Sequence, residues 1–255
     1  MRLVSALLLL LACAPALAAD EEPTTTPYRP SVSTPAALSA PGWLEIEGGW
    51  QHDHGEAGVR RDSIPLTFKL AFSEDWGIRL GNEAWVRRSS DDGKASGIGD
   101  TSFVLKRRFE VDDAQALGLE AGVVMPTGHH GVGFGSGKAD YGINAIYSAD
   151  FGGAWHTDVN LLATRLGQTD PGASRTLWLF AASLSRQLDD RWGVVGEFAA
   201  TRQQGAEDSR QLLVAASYNV SKRLTLDAGA ARSLRSGTPT WSAFTGLTWL
   251  ATRLF

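Results

Sequence analysis

Ser63 to Phe72, SIPLTFKLAF, alternate without a break. Ile64, Leu66, Phe68, Leu70 and Phe72 fall on one side, and Ser63, Pro65, Thr67, Lys69 and Ala71 on the other. A strict two-residue period means an extended strand, because successive side chains of a strand point to opposite faces. A soluble sandwich turns the apolar face of such a strand to a protein core. A membrane barrel turns it to lipid and keeps the polar face in a lumen.

The rest of the chain chooses between them. Alternation begins at Trp43 and recurs in twelve segments, roughly 42–51, 62–72, 76–87, 100–109, 117–126, 139–151, 154–166, 175–187, 192–202, 210–220, 224–234 and 241–254. The connections alternate too. SED at Ser73, EVDDAQA at Glu110, GG at Gly152, LDDR at Leu188 and SKR at Ser221 are short or modest turns. The intervening HDHGEAGVRR, RSSDDGKASGIG, TGHHGVGFGSGK, GQTDPGAS, QQGAEDS and RSGTPT are longer loops rich in glycine or charge. Short turns at one end and long loops at the other are the habit of outer-membrane barrels, whose short turns are periplasmic. A sandwich has no reason to sort its loops this way.

Aromatic residues give an independent test, since a barrel in lipid carries aromatic girdles at both interfaces. Trp76, Trp155 and Trp192 open segments after short turns, Phe72, Phe109 and Phe151 close segments before them, and Trp43 and Trp249 lie at the same end. Trp50, Trp85, Trp178 and Trp241 lie beside long loops and would form the outer girdle, although Trp85 falls on the inward parity. The expected fold is all-β: a transmembrane antiparallel up-and-down barrel of about twelve strands over 42–255, with both termini periplasmic.

The N-terminus agrees with export. Arg2, the apolar run LVSALLLLLA and the small-residue tail APALAAD read as a signal peptide over 1–19, cleaved after Ala18 or Ala19. Cys13, the one cysteine, lies inside it in an LLAC context that faintly resembles a lipoprotein signal; with the signal peptide removed, no thiol or disulfide chemistry remains. The expected location is the outer membrane of a Gram-negative bacterium. A net charge of -4 gives no reason to expect nucleic acid as a partner. Residues 20–41, rich in Pro, Ser, Thr and Ala and without periodicity, form an irregular segment that either plugs the barrel or lies in the periplasm.

Several stretches carry a family resemblance: YRPSVSTPAALSAPGWLEIEGGW at Tyr28, GIGDTSFVLKRRF at Gly97, and VVMPTG followed by GFGSGKADYG between Val123 and Gly142. In order and spacing the chain resembles the outer-membrane transporter family named for a role in the meta pathway of phenol degradation. The resemblance implies a barrel that admits small molecules, aromatic or hydrophobic ones among them, with no catalytic residues and no cofactor. The terminal Phe255 resembles the signal read by the barrel-assembly machinery, with Arg253 a departure from it. The expected partners are thus outer-membrane lipid, that machinery and small solutes.

Inward parity carries Glu45, Glu47, Lys69, Arg79, Glu83, Arg87, Lys106, Arg108, Glu120, Asp140, Asp158, Glu197 and Asp227. Either these charges line a conduit and set its selectivity, or they pair across a narrow lumen and fill it. The loop from Thr127 to Lys138 either bends into the mouth or is plain surface; its glycines do not form a phosphate loop, because Ala139 follows Lys138 where Ser or Thr and a helix are required. His52, His54, His129 and His130 could gather around a transition metal, but exposed loop histidines mostly do not, and no metal is expected. His156 and Asp158 share an inward face near the periplasmic end, which invites a lipid-hydrolase reading; no serine motif supports it, and a polar lumen pair is the expectation. A sealed structural barrel is the remaining alternative.

Overall fold

The computed structural model describes residues 22–91, 93–129, 134–235 and 240–255. The proposed signal peptide lies outside the described residues. Thirteen strands occur among them: β1 (Trp43–His54), β2 (Arg60–Ala71), β3 (Trp76–Ser90), β4 (Gly93–Gly97), β5 (Thr101–Asp112), β6 (Gln115–Met125), β7 (Asp140–Phe151), β8 (Trp155–Arg165), β9 (Thr176–Gln187), β10 (Trp192–Gln203), β11 (Ser209–Ser221), β12 (Leu224–Ser233) and β13 (Trp241–Arg253). Neighbours pair antiparallel around a closed circuit, with β1 hydrogen-bonded to β2 on one side and β13 on the other. Closure leaves no unpaired edge within this circuit, which is what allows its strands to cross a hydrocarbon layer.

Twelve strands make the barrel and β4 is additional. Residues 76–82 of β3 pair with β5, while residues 86–90 pair with β4, so the β3–β4 hairpin carries the ladder past the neighbouring wall. The segment RSSDDGKASGIG, expected as a loop, is therefore mostly hairpin. Turns of two to four residues connect β2–β3, β5–β6, β7–β8, β9–β10 and β11–β12, whereas the opposite connections run from five to fourteen residues. The three-residue β7–β8 turn places both Gly152 and Gly153 at positive φ, which a side chain would resist. By the loop-length rule the short-turn end is periplasmic.

Burial is inverted relative to a soluble protein. Glu45, Asn160 and Thr248 are among the most buried side chains, while Ile64, Phe68, Phe72, Leu80, Phe103, Leu119, Phe180 and Leu247 are exposed. Polar groups lie inside and apolar ones outside, as lipid solvation demands. The alternating stretch on β2 thus turns Ile64 and Phe68 outward and buries Lys69 inside.

One irregularity corrects the expected facing. Pro65 has no N–H to give the β2–β3 ladder, and the register slips there: Ile64 faces Trp85, Pro65 faces Glu83, and Ala84 is left unopposed. Beyond this bulge the parity of β3 reverses. Val86 is buried opposite buried Ser63. Arg87 pairs in register with Asp62 and is exposed, so it is not a lumen residue. The same slip turns Trp85 outward to the girdle.

Candidate functional site

The lumen is occupied by residues 22–41, a strap that enters at the periplasmic end and runs around the inner wall. Pro41 bridges Ala71 of β2. A Cβ on Gly77 of β3 would meet Leu38 at 2.9 Å, and one on Gly118 of β6 would meet the Ala36 backbone at 3.3 Å. The Ala36 N–H donates to Ser148 Oγ of β7 (2.7 Å), and Thr34 donates N–H and hydroxyl to Asn160 Oδ1 of β8 (3.1 and 3.2 Å). Val32 and Ser33 give both backbone N–H groups to Glu197 of β10 (2.9 and 2.8 Å), and the Ser33 hydroxyl adds a third bond (2.6 Å). Arg29 reaches Asp227 of β12 at 3.2 and 3.3 Å, Tyr28 N–H donates to Glu47 of β1 (2.7 Å), and Thr26 N–H donates to Glu45 (2.9 Å).

An irregular backbone buried in a barrel must find partners for each N–H, because an unpaired one costs as much as a lost hydrogen bond. Two features of the strap ease this requirement. Pro23, Pro27, Pro30, Pro35 and Pro41 have no N–H to satisfy, and wall carboxylates, amides and a hydroxyl take those named above. A charge-assisted bond contributes about 1.5–3 kcal/mol net, and fixing one backbone residue costs about 1–2 kcal/mol. Anchors recur from Thr26 to Ala36, so the strap is held at many separate points along the wall.

Tyr28 is the centrepiece. Its ring lies 3.9 Å from Lys69 Nζ and 4.3 Å from Lys106 Nζ, with the Arg79 guanidinium at 5.6 Å. Its hydroxyl donates to Ala37 O (2.7 Å) and accepts from Lys106 (2.9 Å), closing residues 28–37 into a loop. Lys106 also donates to Pro35 O, and Lys69 to Thr26 O (2.6 Å). Room for Arg29 comes from Gly49 and Gly246, which face each other on β1 and β13; a Cβ on either would stand 2.8 Å or less from the guanidinium.

The structure brings nine of the thirteen sequence-predicted charges into this belt. Lys69 lies 2.6 Å from both Glu45 and Glu47; Glu120 lies 3.6 Å from Arg79 and 3.5 Å from Lys106; Asp158, Glu197 and Asp227 stand on β8, β10 and β12. Three others lie toward the ends. Glu83 pairs with Arg61 (2.5 Å) toward the outer mouth, where Asp53 joins them (3.6 Å from Arg61); Asp140 accepts from Gly167 N–H (2.8 Å); Arg108 pairs with Glu110 (3.0 Å) near the periplasm. Arg87 is outside. The sequence reading missed Tyr28 and Arg29, whose roles follow no periodicity, and Ser148 and Asn160, which parity would have included had neutral polar residues been counted.

Below the strap a cavity of about 1160 Å³ is lined by Tyr28, Arg29, Asp158, Ser183, Asn219 and Thr225 among others, and reaches the periplasmic turns at Gly152, Asp190 and Lys222. On one side the inner wall is apolar, where Leu213, Ala231 and Phe244 cluster with Val195 and Ala215. At the mouth, the described part of the Thr127–Lys138 loop is pinned to Asp100, which accepts from Gly128 N–H (2.9 Å) and Ser136 N–H (2.7 Å).

The histidines do other work. His52 Nδ1 lies 2.8 Å from the Asp62 carboxylate, and its ring stacks on Trp50 and meets Trp241 at a tilt, while His54 stacks on Trp241. His129 bonds the Ile98 backbone, and His130 lies outside the described residues. Among the described residues, no group of three or more His, Cys, Asp or Glu could hold a metal. His156 is held at both ring nitrogens, by Asp150 (2.7 Å) and Asp158 (3.0 Å), and Ser148 bonds the same oxygen of Asp158 (2.5 Å). That arrangement leaves the imidazole no free nitrogen to activate a serine.

With this geometry in view, comparison with known proteins is decisive for the family. The family model described as "Putative MetA-pathway of phenol degradation" matches residues 47–251. The chain belongs to this family. No curated protein matches it. An outer membrane channel from Pseudomonas putida F1 shares the fold with a TM-score of 0.64 at 15% identity, over 84% of this chain and 97% of that one. The NanC porin aligns with a TM-score of 0.61 at 9% identity, over 82% and 100%, and the KdgM porin with 0.56 at 9%, over 81% and 99%. At these identities the likeness speaks for the fold, an outer-membrane barrel.

Proposed function

We propose that the protein is a passive outer-membrane channel for small molecules, closed at rest by its own residues 22–41. The observation that carries this is the manner of closure. The lumen is not filled by wall side chains packing on each other; a separate segment fills it, held by hydrogen bonds to the wall and by no strand ladder. A barrel serving only as structure gains nothing from a lumen that a separate segment must fill.

Passage then needs neither cofactor nor energy source, only displacement of the strap and a solute small enough for the remaining bore. The apolar patch around Phe244 suits aromatic or hydrophobic parts of a solute, and the charged belt examines polar ones. The solved porins and channel of the same fold support a channel over an enzyme, as does the doubly held His156. Phe255 would serve barrel assembly, and outer-membrane lipid would meet the apolar exterior.

Swelling of liposomes carrying the refolded protein tests the reading. Uptake of small neutral solutes that falls off with solute size is expected. Protein shown to be folded that admits none of them contradicts it.

A further inference from the structure

The belt of charges is not uniform. On the arc from β1 to β6 the wall balances itself: Glu45 and Glu47 face Lys69, and Glu120 faces Arg79 and Lys106. The arc from β8 to β12 carries Asp158, Glu197 and Asp227, all buried. Among the described residues, the one basic wall group paired with any of the three is His156, on Asp158, while Arg186, Arg191 and Lys222 line the periplasmic part of the cavity below. Asp227 takes its cation from the strap, as Arg29, and Glu197 is met only by the N–H groups of Val32 and Ser33 and the Ser33 hydroxyl. The cavity of about 1160 Å³ beneath the strap runs along this arc, with Asp158, Ser183 and Thr225 in its wall.

Buried carboxylates without wall counter-ions are costly unless something positive or donor-rich meets them. In the closed lumen the strap does so with a guanidinium and two adjacent N–H donors. We infer that the strap occupies a site built for the same chemistry in a solute: Glu197 and Asp227, the two acids that the wall itself leaves unbalanced, bind small nitrogenous cations, amines and guanidines, and make the opened lumen select cations over anions. This rests on the channel reading above. The opposite arc contributes little to selectivity, because its three acids and three bases compensate one another.

The test is the reversal potential of the full chain in a planar bilayer across a KCl gradient. Potassium should be preferred over chloride, as unbalanced acidic residues in a narrow pore favour cations. Millimolar guanidinium on the periplasmic side should reduce the potassium current. The double variant E197Q/D227N should keep conducting steps while losing most of the preference and the guanidinium block. Arg29→Ala, which leaves the wall untouched, should open more often and remain cation-selective. Anion preference, or a preference unchanged in E197Q/D227N and R29A alike, would overturn the proposed arc. Absence of steps from folded protein would instead contradict the channel reading, so the two failures are distinguishable.

Discussion

The two arcs of the lumen wall solve the same problem differently. Around Lys69 and Lys106 the barrel neutralises its own buried charges, with nitrogen to oxygen distances of 2.6 Å to Glu45 and Glu47. Around Glu197 and Asp227 it leaves the task to a segment from outside the sheet. The first arrangement belongs to the stability of the barrel, and the second to the reversibility of its closure. A lumen can therefore be crowded with charge and still be built to open, provided the charges on one side depend on something that can leave.

The largest expected effect comes from breaking the self-balanced arc. Lys69→Met leaves Glu45 and Glu47 buried with no cation, and losing one partner of a buried pair costs roughly 3–5 kcal/mol. The thermal midpoint of the folded barrel, read by heat-modified mobility in gels, should drop sharply, and the same change at Glu197 should not reproduce the drop. Glu197→Gln removes a charge-assisted anchor worth about 1.5–3 kcal/mol from the strap alone. Limited proteolysis should then cut within residues 22–41 faster while the barrel midpoint stays near its original value; equal loss of both would erase the distinction between the arcs.

A smaller effect tests where the wall faces. If the bulge at Ala84 turns Trp85 outward and carries Arg87 with it, a variant retaining Trp85 alone among the tryptophans should be quenched by brominated lipid. Arg87→Gln should leave channel selectivity unchanged, whereas Arg79→Gln, inside the belt, should alter it. Smallest is the β9–β10 turn. There the backbone N–H groups of Trp192 and Arg191 hold the Asp189 carboxyl below its ordinary pKa. A carboxyl depressed in the folded state contributes stability above its unfolded pKa and loses it as pH falls through the folded one. Asp189→Ala should thus be slightly less stable near neutrality, with the difference from the parent vanishing in acid. Neither arc should be touched.

Most of the barrel was legible in the sequence because lipid imposes a strict rule. Every lipid-facing position on a strand such as β2 must be apolar, so period two survives in Ile64, Leu66, Phe68, Leu70 and Phe72, and the sorted loops give the strand count. Parity fails where a residue cannot obey the ladder: Pro65 forces the slip that sends Arg87 outward, and nothing in the local pattern of β3 announces it. The hairpin to β4 was hidden in a charged, glycine-rich stretch that reads as loop. The strap was the least legible. Its contacts join residues as far apart as Arg29 and Asp227 and exist only once the barrel has closed around it. What the sequence does show is its composition: prolines that need no donor partner, set among residues whose N–H groups do.

The central claim is that residues 22–41 close a channel reversibly, and a removable tether tests it most directly. Ala36→Cys with Ser148→Cys joins the strap to β7 where the Ala36 N–H now lies 2.7 Å from the Ser148 hydroxyl. With the disulfide formed, a planar bilayer carrying the full chain should be silent or nearly so; on adding reductant, stepwise conductance should appear in the same membrane. Equal conductance before and after reduction, from protein shown to be cross-linked, would contradict the account.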